Sequence, residues 1–353
     1  MEICRRLAEK RTPLRALVRD TSDPARVEAL RELGAETVVG DLRDRESLDR
    51  ACAGVDVVFS TATSIIREGE ISAVDGEGQM NLVDAARDAG VTRFVYVSFE
   101  ELRTGAPLER AKRAVEERLR VSEIRYTILR AGLFHESWLS PATGFDAANG
   151  TVNVYGSGEV ELSWIALSDV ATAAVRSLEQ QETENAIVPI AGERLSYRDV
   201  VAVFEEVTGR PIAVQQVPAE ALEAQRDGAS DEREQPFAGL MLGVAAGSPP
   251  GDGEAWLRRL GVERPRTVRD VAAQYITPSI RFGRCSSAQR PIAAPVSRSK
   301  SCTAPGRMAA STRCLRPIRE RGSKRPMKRR PGSSAAGSSS TGSTAASTAA
   351  ART

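Results

Sequence analysis

Short apolar runs alternate with longer amphipathic stretches along the first 130 residues of the chain. Five of the runs are bounded by turn residues, as buried strands are, and they occupy residues 14–18, 37–39, 55–60, 92–98 and 124–130. Apolar residues between the runs recur at helical spacing, as Leu82, Val83 and Ala86 do. Every connection is long enough for a parallel crossover, so the pattern predicts an α/β fold with a doubly wound parallel sheet.

The pattern becomes shorter and more irregular after Gly132. Short strands are predicted at residues 152–155, 162–165, 187–190 and 212–217, with helices at residues 170–178 and 197–208. These elements predict a smaller α/β lobe over residues 151–280, partly interwoven with the domain formed by residues 1–150. Inside the lobe, Gly, Pro and acidic residues surround an apolar segment at residues 227–253, which predicts a mobile flap.

Composition separates this foldable body from the end of the chain. Residues 281–353 hold 16 of the 49 Lys and Arg residues but one of the 47 Asp and Glu residues, so the body has a formal charge of about −13. The tail is basic, rich in Ser and Ala, and is predicted to be disordered because it lacks apolar periodicity. Its run at residues 321–330 suits nucleic acid electrostatically, but composition alone does not establish that partner, and a shifted reading frame is an equal explanation.

Cysteine usage and hydropathy indicate the compartment. The five cysteines have no CxxC spacing, and they are Cys4, Cys52, Cys285, Cys302 and Cys314. No charged-then-apolar signal opens the sequence, and its apolar runs are far shorter than the roughly 20 residues that span a bilayer. We therefore expect a soluble, cytoplasmic protein without a membrane partner.

Charged residues follow the first two apolar runs. Counted as the second strand of a doubly wound sheet, residues 14–18 end at Arg19, where such folds bind the adenosine ribose of a dinucleotide. An arginine there binds a 2′-phosphate, which favours NADP(H) over NAD(H); the alternative is a surface pair of Arg19 with Asp20 or Asp23. Asp41 follows the next strand and is predicted to lie near the adenine.

The strand and glycine turn that should precede this site are absent from the sequence. Residues 1–9 have helical spacing, and no GxGxxG or GxxGxxG turn stands before them to bind a pyrophosphate. Because the missing strand lies at the centre of such a sheet, we expect unpaired edges on both of its neighbours. One hypothesis is that the gene start was placed downstream of the true one, and that the chain as written is a truncated product without cofactor affinity.

Four segments carry a family resemblance, namely LRALVRD, VVGDLRD, VDGEGQMNLVDAARDAGVTRFVYVS and AKRAVEERLRVSEIRYTILRAGLF. Together they resemble the NmrA-like group of atypical short-chain dehydrogenase/reductases, over residues 1 to about 275. The resemblance implies a Rossmann-type domain that binds NAD(P)(H), and a C-terminal lobe that forms the substrate pocket. The residues that it implies as cofactor contacts are Arg19, Asp41, Leu42, Thr61, Ala62, Lys112, Ala131 and Gly132.

The resemblance assigns these residues to different parts of the cofactor. Arg19 is assigned to the 2′-phosphate, and Leu42 joins Asp41 at the adenine. Thr61 and Ala62 follow the strand at residues 55–60 and are assigned to the central part of the cofactor, although such small residues also form ordinary turns. Lys112 is assigned to the nicotinamide ribose, and Ala131 with Gly132 to the nicotinamide pocket.

The catalytic pair YxxxK of the wider superfamily is broken. Leu108 stands four residues before Lys112 and cannot donate a proton, although carbonyl reduction needs a proton donor and a group that stabilises the developing charge. The catalytic candidates are Lys112, Ser98 at a strand end and His135, which follows the strand at residues 124–130. We expect His135 to face the cleft between the lobes. The alternatives are a solvated lysine, a strand-ending hydroxyl and an ordinary histidine. His135 beside Glu136 does not make a metal site, so no metal is predicted.

These observations predict an NAD(P)H-binding oxidoreductase that reduces a small carbonyl or quinone-like acceptor. The missing tyrosine supports a second hypothesis, in which the chain is a non-catalytic redox sensor that binds the cofactor and changes its hold on a partner protein.

Overall fold

The computed structural model describes residues 1–64, 71–228 and 234–276. The predicted disordered tail at residues 281–353, with its basic run, lies outside the described residues. All the elements below belong to one compact unit, Met1–Cys285. No helix in the described ranges is both long enough and apolar enough to cross a membrane.

Five parallel strands form the first half of the fold, and they confirm the five strand predictions. They are β1 (Arg15–Val18), β2 (Glu36–Val39), β3 (Val57–Ser60), β4 (Arg93–Phe99) and β5 (Arg125–Ala131). β1 pairs with β2, and β4 lies between β3 and β5, with every pairing parallel. β4 is buried along nearly its whole length, as a strand covered on both faces of a parallel sheet must be.

Helices connect these strands. They are α1 (Glu2–Glu9), α2 (Pro24–Glu32), α3 (Arg45–Cys52), α4 (Gln79–Asp88) and α5 (Pro107–Arg120). Asp23 starts α2, because its carboxylate accepts a hydrogen bond from the amide of Ala25 and Pro24 has no amide hydrogen to satisfy. α4 confirms the helical spacing of Leu82, Val83 and Ala86, and wide π-type turns at Ile71–Gly78 come before it.

The second half of the fold is a mixture of short strands and helices, as predicted. Its elements are β6 (Leu133–Phe134), α6 (His135–Trp138), β7 (Phe145–Asp146), β8 (Thr151–Tyr155), β9 (Glu161–Ile165), α7 (Leu167–Arg176), β10 (Ala186–Ile190), β11 (Glu193–Ser196), α8 (Tyr197–Thr208), β12 (Ala213–Val217), α9 (Ala219–Gly228), α10 (Glu234–Ala246), α11 (Gly253–Arg259) and α12 (Val268–Ala272). Two three-stranded sheets result, with the orders β11–β9–β6 and β12–β8–β7.

One strand of this second half belongs to the first sheet. β10 pairs in parallel with β5, so the main sheet has the order β10–β5–β4–β3. The sequence analysis assigned this strand to the smaller lobe. The main sheet takes it because Val188 is fully buried there, and because the carbonyl of Ile190 accepts a hydrogen bond from the amide of Gly132 at 3.0 Å.

Residues 234–246 of the segment predicted as a mobile flap form α10, and the prediction is wrong for those residues. Leu240, Met241 and Val244 are buried in the core of the second half. Gly243 permits close packing, since a Cβ at that position would lie 2.8 Å from the side chain of Leu102. The glycines that suggested mobility therefore allow this helix to approach its neighbour closely.

The strands of the first half fall into two sheets. Among the described strands, β1 pairs with β2 alone, and β3 pairs with β4 alone. Leu17 on β1 and Val39 on β2 are 36% and 52% exposed, although both belong to apolar runs. One edge of β1 and one edge of β3 are therefore unpaired within the described ranges.

Candidate functional site

The predicted cofactor residues lie in two groups beyond the carboxyl ends of the strands. Val18 and Val39 are opposite each other in the β1–β2 register, so Arg19 and Asp41 follow paired strand ends. The second group lies at the ends of β3 and β5, which flank β4, and it comprises Thr61, Ala62, Ala131 and Gly132. Carboxyl ends of parallel strands meet at one edge of a sheet, where α/β proteins bind their ligands.

Arg19 lines an open cavity of about 600 Å³ at the end of β1. Its backbone is fixed by Ser22, whose hydroxyl accepts from the Arg19 amide and whose amide donates to the Arg19 carbonyl, both at 2.9 Å. The Arg19 guanidinium makes no ion pair with any residue that the structure describes, and Asp23 instead caps α2. The arrangement does not support the alternative of a surface pair with Asp20 or Asp23, and it leaves a half-buried cation facing a cavity.

Asp41 and Leu42 differ in exposure. Two hydrogen bonds of 2.8 Å join Arg43 to the carboxylate of Asp41, and they lower its pKa to about 2, with a further contribution from the charge of Arg19. Leu42 is 9% exposed and packs in the core, where a Cβ on Gly78 would lie 2.9 Å from its own Cβ. Asp41 can thus meet a ligand through its carboxylate, whereas the side chain of Leu42 cannot without leaving the core.

Lys112 is buried on α5 and faces a buried carboxylate. Its ammonium lies 3.6 Å from Oδ1 of Asp75, and the two side chains are 6% and 0% exposed. The other oxygen of Asp75 accepts hydrogen bonds from the amide and the hydroxyl of Ser64, at 2.9 and 2.6 Å. Burial lowers the pKa of Lys112 and Asp75 opposes that change. The alternative of a solvated lysine on a charged helix is wrong.

Tyr96 completes the surroundings of Lys112. The ammonium lies 5.1 Å from the centre of the Tyr96 ring, which is fully buried on β4. The Tyr96 hydroxyl has no hydrogen-bond partner among the described residues, and burial raises its pKa well above the usual range. Lys112 is therefore held in a low-dielectric setting by Asp75, at the carboxyl end of β3 where Ser64 lies.

Thr61 and Ala62 are exposed immediately after β3. The buried side chain of Gln79 holds this turn. Its Nε2 donates to the Ala62 carbonyl at 3.0 Å, and its Oε1 accepts from the Ser60 hydroxyl at 2.7 Å. The turn therefore presents small residues on a rigid support. This is compatible with close approach of a cofactor, and equally with an ordinary turn.

Ala131 and Gly132 lie where the main sheet meets the second half. Ala131 is fully buried at the end of β5. A Cβ at Gly132 would lie 2.5 Å from the carbonyl oxygen of Ser163 on β9, so this position requires glycine. Only the backbone at these two positions is thus available to line a pocket.

Ser98 is engaged by a buried ion-pair cluster. Its hydroxyl donates to Oε1 of Glu116 at 2.7 Å, and Glu116 pairs with Arg113 at 2.8 Å and with Arg130 at 2.6 Å. A hydroxyl that satisfies a buried carboxylate stabilises the fold. The contacts favour the alternative in which Ser98 ends a strand.

His135 does not face the cleft between the two halves, contrary to the expectation. Its ring is fully buried and stacks on Trp164, with ring centres 6.3 Å apart. Neither ring nitrogen has a hydrogen-bond partner among the described residues, and burial lowers the pKa of His135 to about 4. The ring is neutral near pH 7, and without solvent contact it cannot relay a proton. Trp164 lies on β9, far along the chain, so the local sequence did not indicate this burial.

The structure adds Glu100, which the sequence analysis did not select. Glu100 directly follows β4, and its amide donates to the carbonyl of Ala131 at 3.0 Å. The hydroxyl of Ser248 donates to its carboxylate. Burial raises the pKa of Glu100 to about 7, against smaller lowering effects of Ser248, Ser163 and Arg194. An acidic residue directly beyond a buried parallel strand was the available signal.

The described residues contain no group of three or more His, Cys, Asp or Glu side chains that could hold a metal ion. Arg19, Lys112 and Glu100 are the candidate charged or titratable groups, together with the backbone atoms around Gly132. This set suits binding of a phosphate-bearing ligand at one end and polarisation of an acceptor oxygen at the other.

Comparison with known proteins gives a consistent set of relatives. The model of the NmrA-like family matches residues 1–232. The chain is 30% identical over 214 residues to an NAD(P)H azoreductase of Xenophilus azovorans. The matched region covers 60% of this chain and 71% of that protein. It is 29% identical over 230 residues to the photosystem II assembly factor Ycf39 of Cyanophora paradoxa, over 64% of this chain and 70% of that protein.

A solved structure supports the fold. The NADPH-dependent quinone oxidoreductase QOR2 of Escherichia coli, in complex with NADPH, aligns with a TM-score of 0.64 and 22% identity, over 78% of this chain and 95% of that one. At this identity the similarity establishes a shared Rossmann-like α/β fold.

Proposed function

The chain belongs to the NmrA-like family, and on that premise we propose that it is an NAD(P)H-dependent reductase of a small carbonyl or quinone-like acceptor. The relatives support a reductase, since one is named as an NAD(P)H azoreductase and a similar structure is that of a quinone oxidoreductase. The acceptor class is the one that the family resemblance implies, and the quinone oxidoreductase of the same fold is named for such an acceptor.

The observation that carries this proposal is the burial of Lys112 against Asp75. Removing two charges from water costs several kcal/mol per ion before their attraction is counted, so a helix does not need such a pair for stability alone. The pair lies beside Ser64, beyond the end of β3, where the cofactor edge of the sheet begins. An ammonium there can hold ribose hydroxyls and stabilise charge that develops on an acceptor oxygen.

The remaining residues would contact four parts of a bound dinucleotide. Arg19 would bind a 2′-phosphate with its unpaired guanidinium, and Asp41 would contact the adenine. Thr61 and Ala62 would lie against the central part of the ligand. The backbone of Ala131 and Gly132 would border the nicotinamide, which when bound supplies a hydride. The sequence has no glycine turn for the pyrophosphate, so that part of the ligand has no assigned residues.

Two measurements on the full chain test the proposal. Fluorescence titration with NADPH and NADH measures cofactor binding, and NADPH oxidation with a panel of quinones, aldehydes and azo dyes measures turnover. We expect binding of NADPH with preference over NADH, and turnover on at least one acceptor. A folded chain that neither binds nor oxidises either reduced nicotinamide would contradict the proposal.

A second candidate function is a non-catalytic redox sensor. Leu108 occupies the position of the superfamily's tyrosine and is buried, and one relative is named as an assembly factor. The substitution Lys112→Ala separates the two functions. Loss of turnover with NADPH binding retained supports the reductase, whereas NADPH binding without wild-type turnover on any acceptor in the panel supports the sensor.

A further inference from the structure

The proposed reduction needs a proton donor, and Leu108 cannot be one. Lys112 is tied to Asp75, Ser98 donates to Glu116, and His135 is buried away from solvent. None of these side chains offers a free acidic proton at the carboxyl edge of the sheet. A donor must therefore come from another residue at that edge.

Glu100 occupies the required place. It follows the last residue of β4, and its amide donates to the Ala131 carbonyl at the end of β5. The neighbouring Gly132 packs on the carbonyl of Ser163, whose amide donates to the Ser248 hydroxyl at 2.9 Å. Ser248 in turn donates to the Glu100 carboxylate. The carboxyl group thus borders the backbone that we assign to the nicotinamide pocket.

The charge of Glu100 is not neutralised by a partner. Glu116 has two arginine partners and Asp75 has a lysine, whereas Glu100 makes no ion pair with the described residues. Arg194, the cation whose charge lowers the pKa of Glu100, is directed elsewhere. It donates hydrogen bonds to Ser163 Oγ and to the carbonyls of residues 248 and 249, and it forms an ion pair of 3.2 Å with Glu161.

The surroundings of Glu100 raise the pKa of its carboxyl group, so that a large fraction of it is protonated near pH 7. Burial raises its pKa to about 7, and the groups that face it, Ser248, Ser163 and Arg194, lower the pKa only in part. The side chain remains partly exposed, so it can exchange its proton with water. A general acid works best when its pKa lies near the working pH.

We propose that Glu100 is the proton donor of the reaction and replaces the hydroxyl that Leu108 cannot provide. The inference rests on the proposed reductase function. The nicotinamide, when bound, would supply a hydride with both of its electrons, so that a C–H bond would form at the carbonyl carbon and the carbonyl π electrons would move to its oxygen. The Glu100 proton forms the O–H bond and leaves a carboxylate, which water protonates again. The nicotinamide loses two electrons and the carbonyl gains them.

The test compares Glu100→Gln with Glu101→Gln, a matched control at the adjacent, exposed position. With NADPH and 9,10-phenanthrenequinone, we expect Glu100→Gln to lower kcat at least about 100-fold while the Kd for NADPH stays within twofold. The wild-type kcat should fall as pH rises through about 7, and the Glu101→Gln profile should match it.

A second readout needs no cofactor. Infrared titration of the free chain should show a protonated carboxyl group that ionises near pH 7, present in Glu101→Gln and absent from Glu100→Gln. Ser248→Ala removes a hydrogen bond that lowers the pKa, so both this ionisation and the alkaline limb of kcat should move to higher pH. A purely structural role of Glu100 would not shift the kinetic limb.

The outcomes separate the two proposals. A wild-type chain that binds NADPH and turns over, with the same kcat in Glu100→Gln, overturns the role of Glu100 and leaves the reductase function standing. A wild-type chain without any turnover overturns both. If Glu100→Gln does not fold, an alkaline limb that is unmoved in Ser248→Ala overturns the role of Glu100.

Discussion

At the scale of single residues, the charged side chains withdrawn from water differ in whether a described partner compensates their charge. Glu116 and Lys112 are buried and each has a partner of opposite charge. Arg19 and Glu100 are the contrasting cases, since neither forms an ion pair with the described residues although both are partly withdrawn from water. The half-buried Arg19 can therefore pair with an anion, whereas burial of Glu100 raises its pKa to about 7 and favours its neutral form.

The first prediction concerns Arg19. Substituting Arg19→Gln should raise the Kd for NADPH about ten- to 100-fold and leave the Kd for NADH nearly unchanged, because a hydrogen bond to a charged phosphate contributes about 1.5–3 kcal/mol. Arg26→Gln, an exposed neighbour on α2, should change neither value. Fluorescence titration measures both constants, and equal weakening of the two cofactors would contradict the assigned role.

The second prediction concerns His135. Its folded-state pKa of about 4 lies below the ordinary 6.5, so the unfolded chain binds the proton more readily, and stability falls as pH decreases from 6.5 towards 4. Protonation of this one group should lower the free energy of unfolding by about 2 kcal/mol when the pH falls from 7.5 to 5. His135→Phe keeps the ring on Trp164 and should lose that part of the pH dependence. Urea unfolding at both pH values measures it, and parallel curves for the two chains would contradict the prediction.

At the scale of elements, the wide turns at Ile71–Gly78 explain how a carboxylate comes to face Lys112. Asp75 is fully buried in these turns, and Gly78 has no room for a side chain, since a Cβ would lie 2.7 Å from the Ala73 carbonyl. Insertions of π-type turns into helices are frequent at functional sites because they redirect side chains. The amphipathic pattern indicated a helix here but not the change of pitch that directs Asp75 inward.

The third prediction tests this element. Asp75→Asn should lower the free energy of unfolding by about 3 kcal/mol or more, because it leaves the buried Lys112 ammonium without its counter-charge. Adding Lys112→Met should recover most of the loss, since the double variant buries no charge. Glu77→Gln, an exposed neighbour in the same turns, should be neutral. Additive effects of the two substitutions in urea unfolding would show that the pair is not coupled.

At the scale of the whole molecule, the two halves of the chain meet around Gly132. β10 returns from the second half to pair with β5, and the amide of Gly132 donates to Ile190 on that strand. On the other side, Gly132 packs on Ser163 of β9. The same junction holds Glu100, whose carboxylate accepts a hydrogen bond from Ser248. The candidate reaction site is thus built where the main sheet contacts the smaller sheet.

The fourth prediction tests the junction. Gly132→Ala should lower the free energy of unfolding by about 2 kcal/mol, because its Cβ would lie 2.5 Å from a backbone oxygen that cannot rotate away. Gly228→Ala has open space and should leave stability within about 0.5 kcal/mol. Urea unfolding provides both values. A neutral Gly132→Ala would mean that the two sheets separate easily at this point.

The sequence by itself determined the elements and their order. Strand and helix follow from local periodicity, since side chains alternate along a strand and recur every three or four residues along a helix, and all five predicted parallel strands are present. The same patterns, with the four family-like segments, identified the fold class and placed Arg19 at the end of β1. Such properties depend on neighbouring residues, which a sequence shows directly.

The tertiary structure decided which polar groups are buried and what they contact. Ser248 lies 148 residues from Glu100, yet its hydroxyl donates to that carboxyl group and partly offsets the rise of its pKa that burial causes. His135 is buried by Trp164, and β10 joins the first sheet through pairing with β5. Desolvation depends on every group packed around a side chain, and most of those groups are distant along the chain, so local sequence patterns do not encode it.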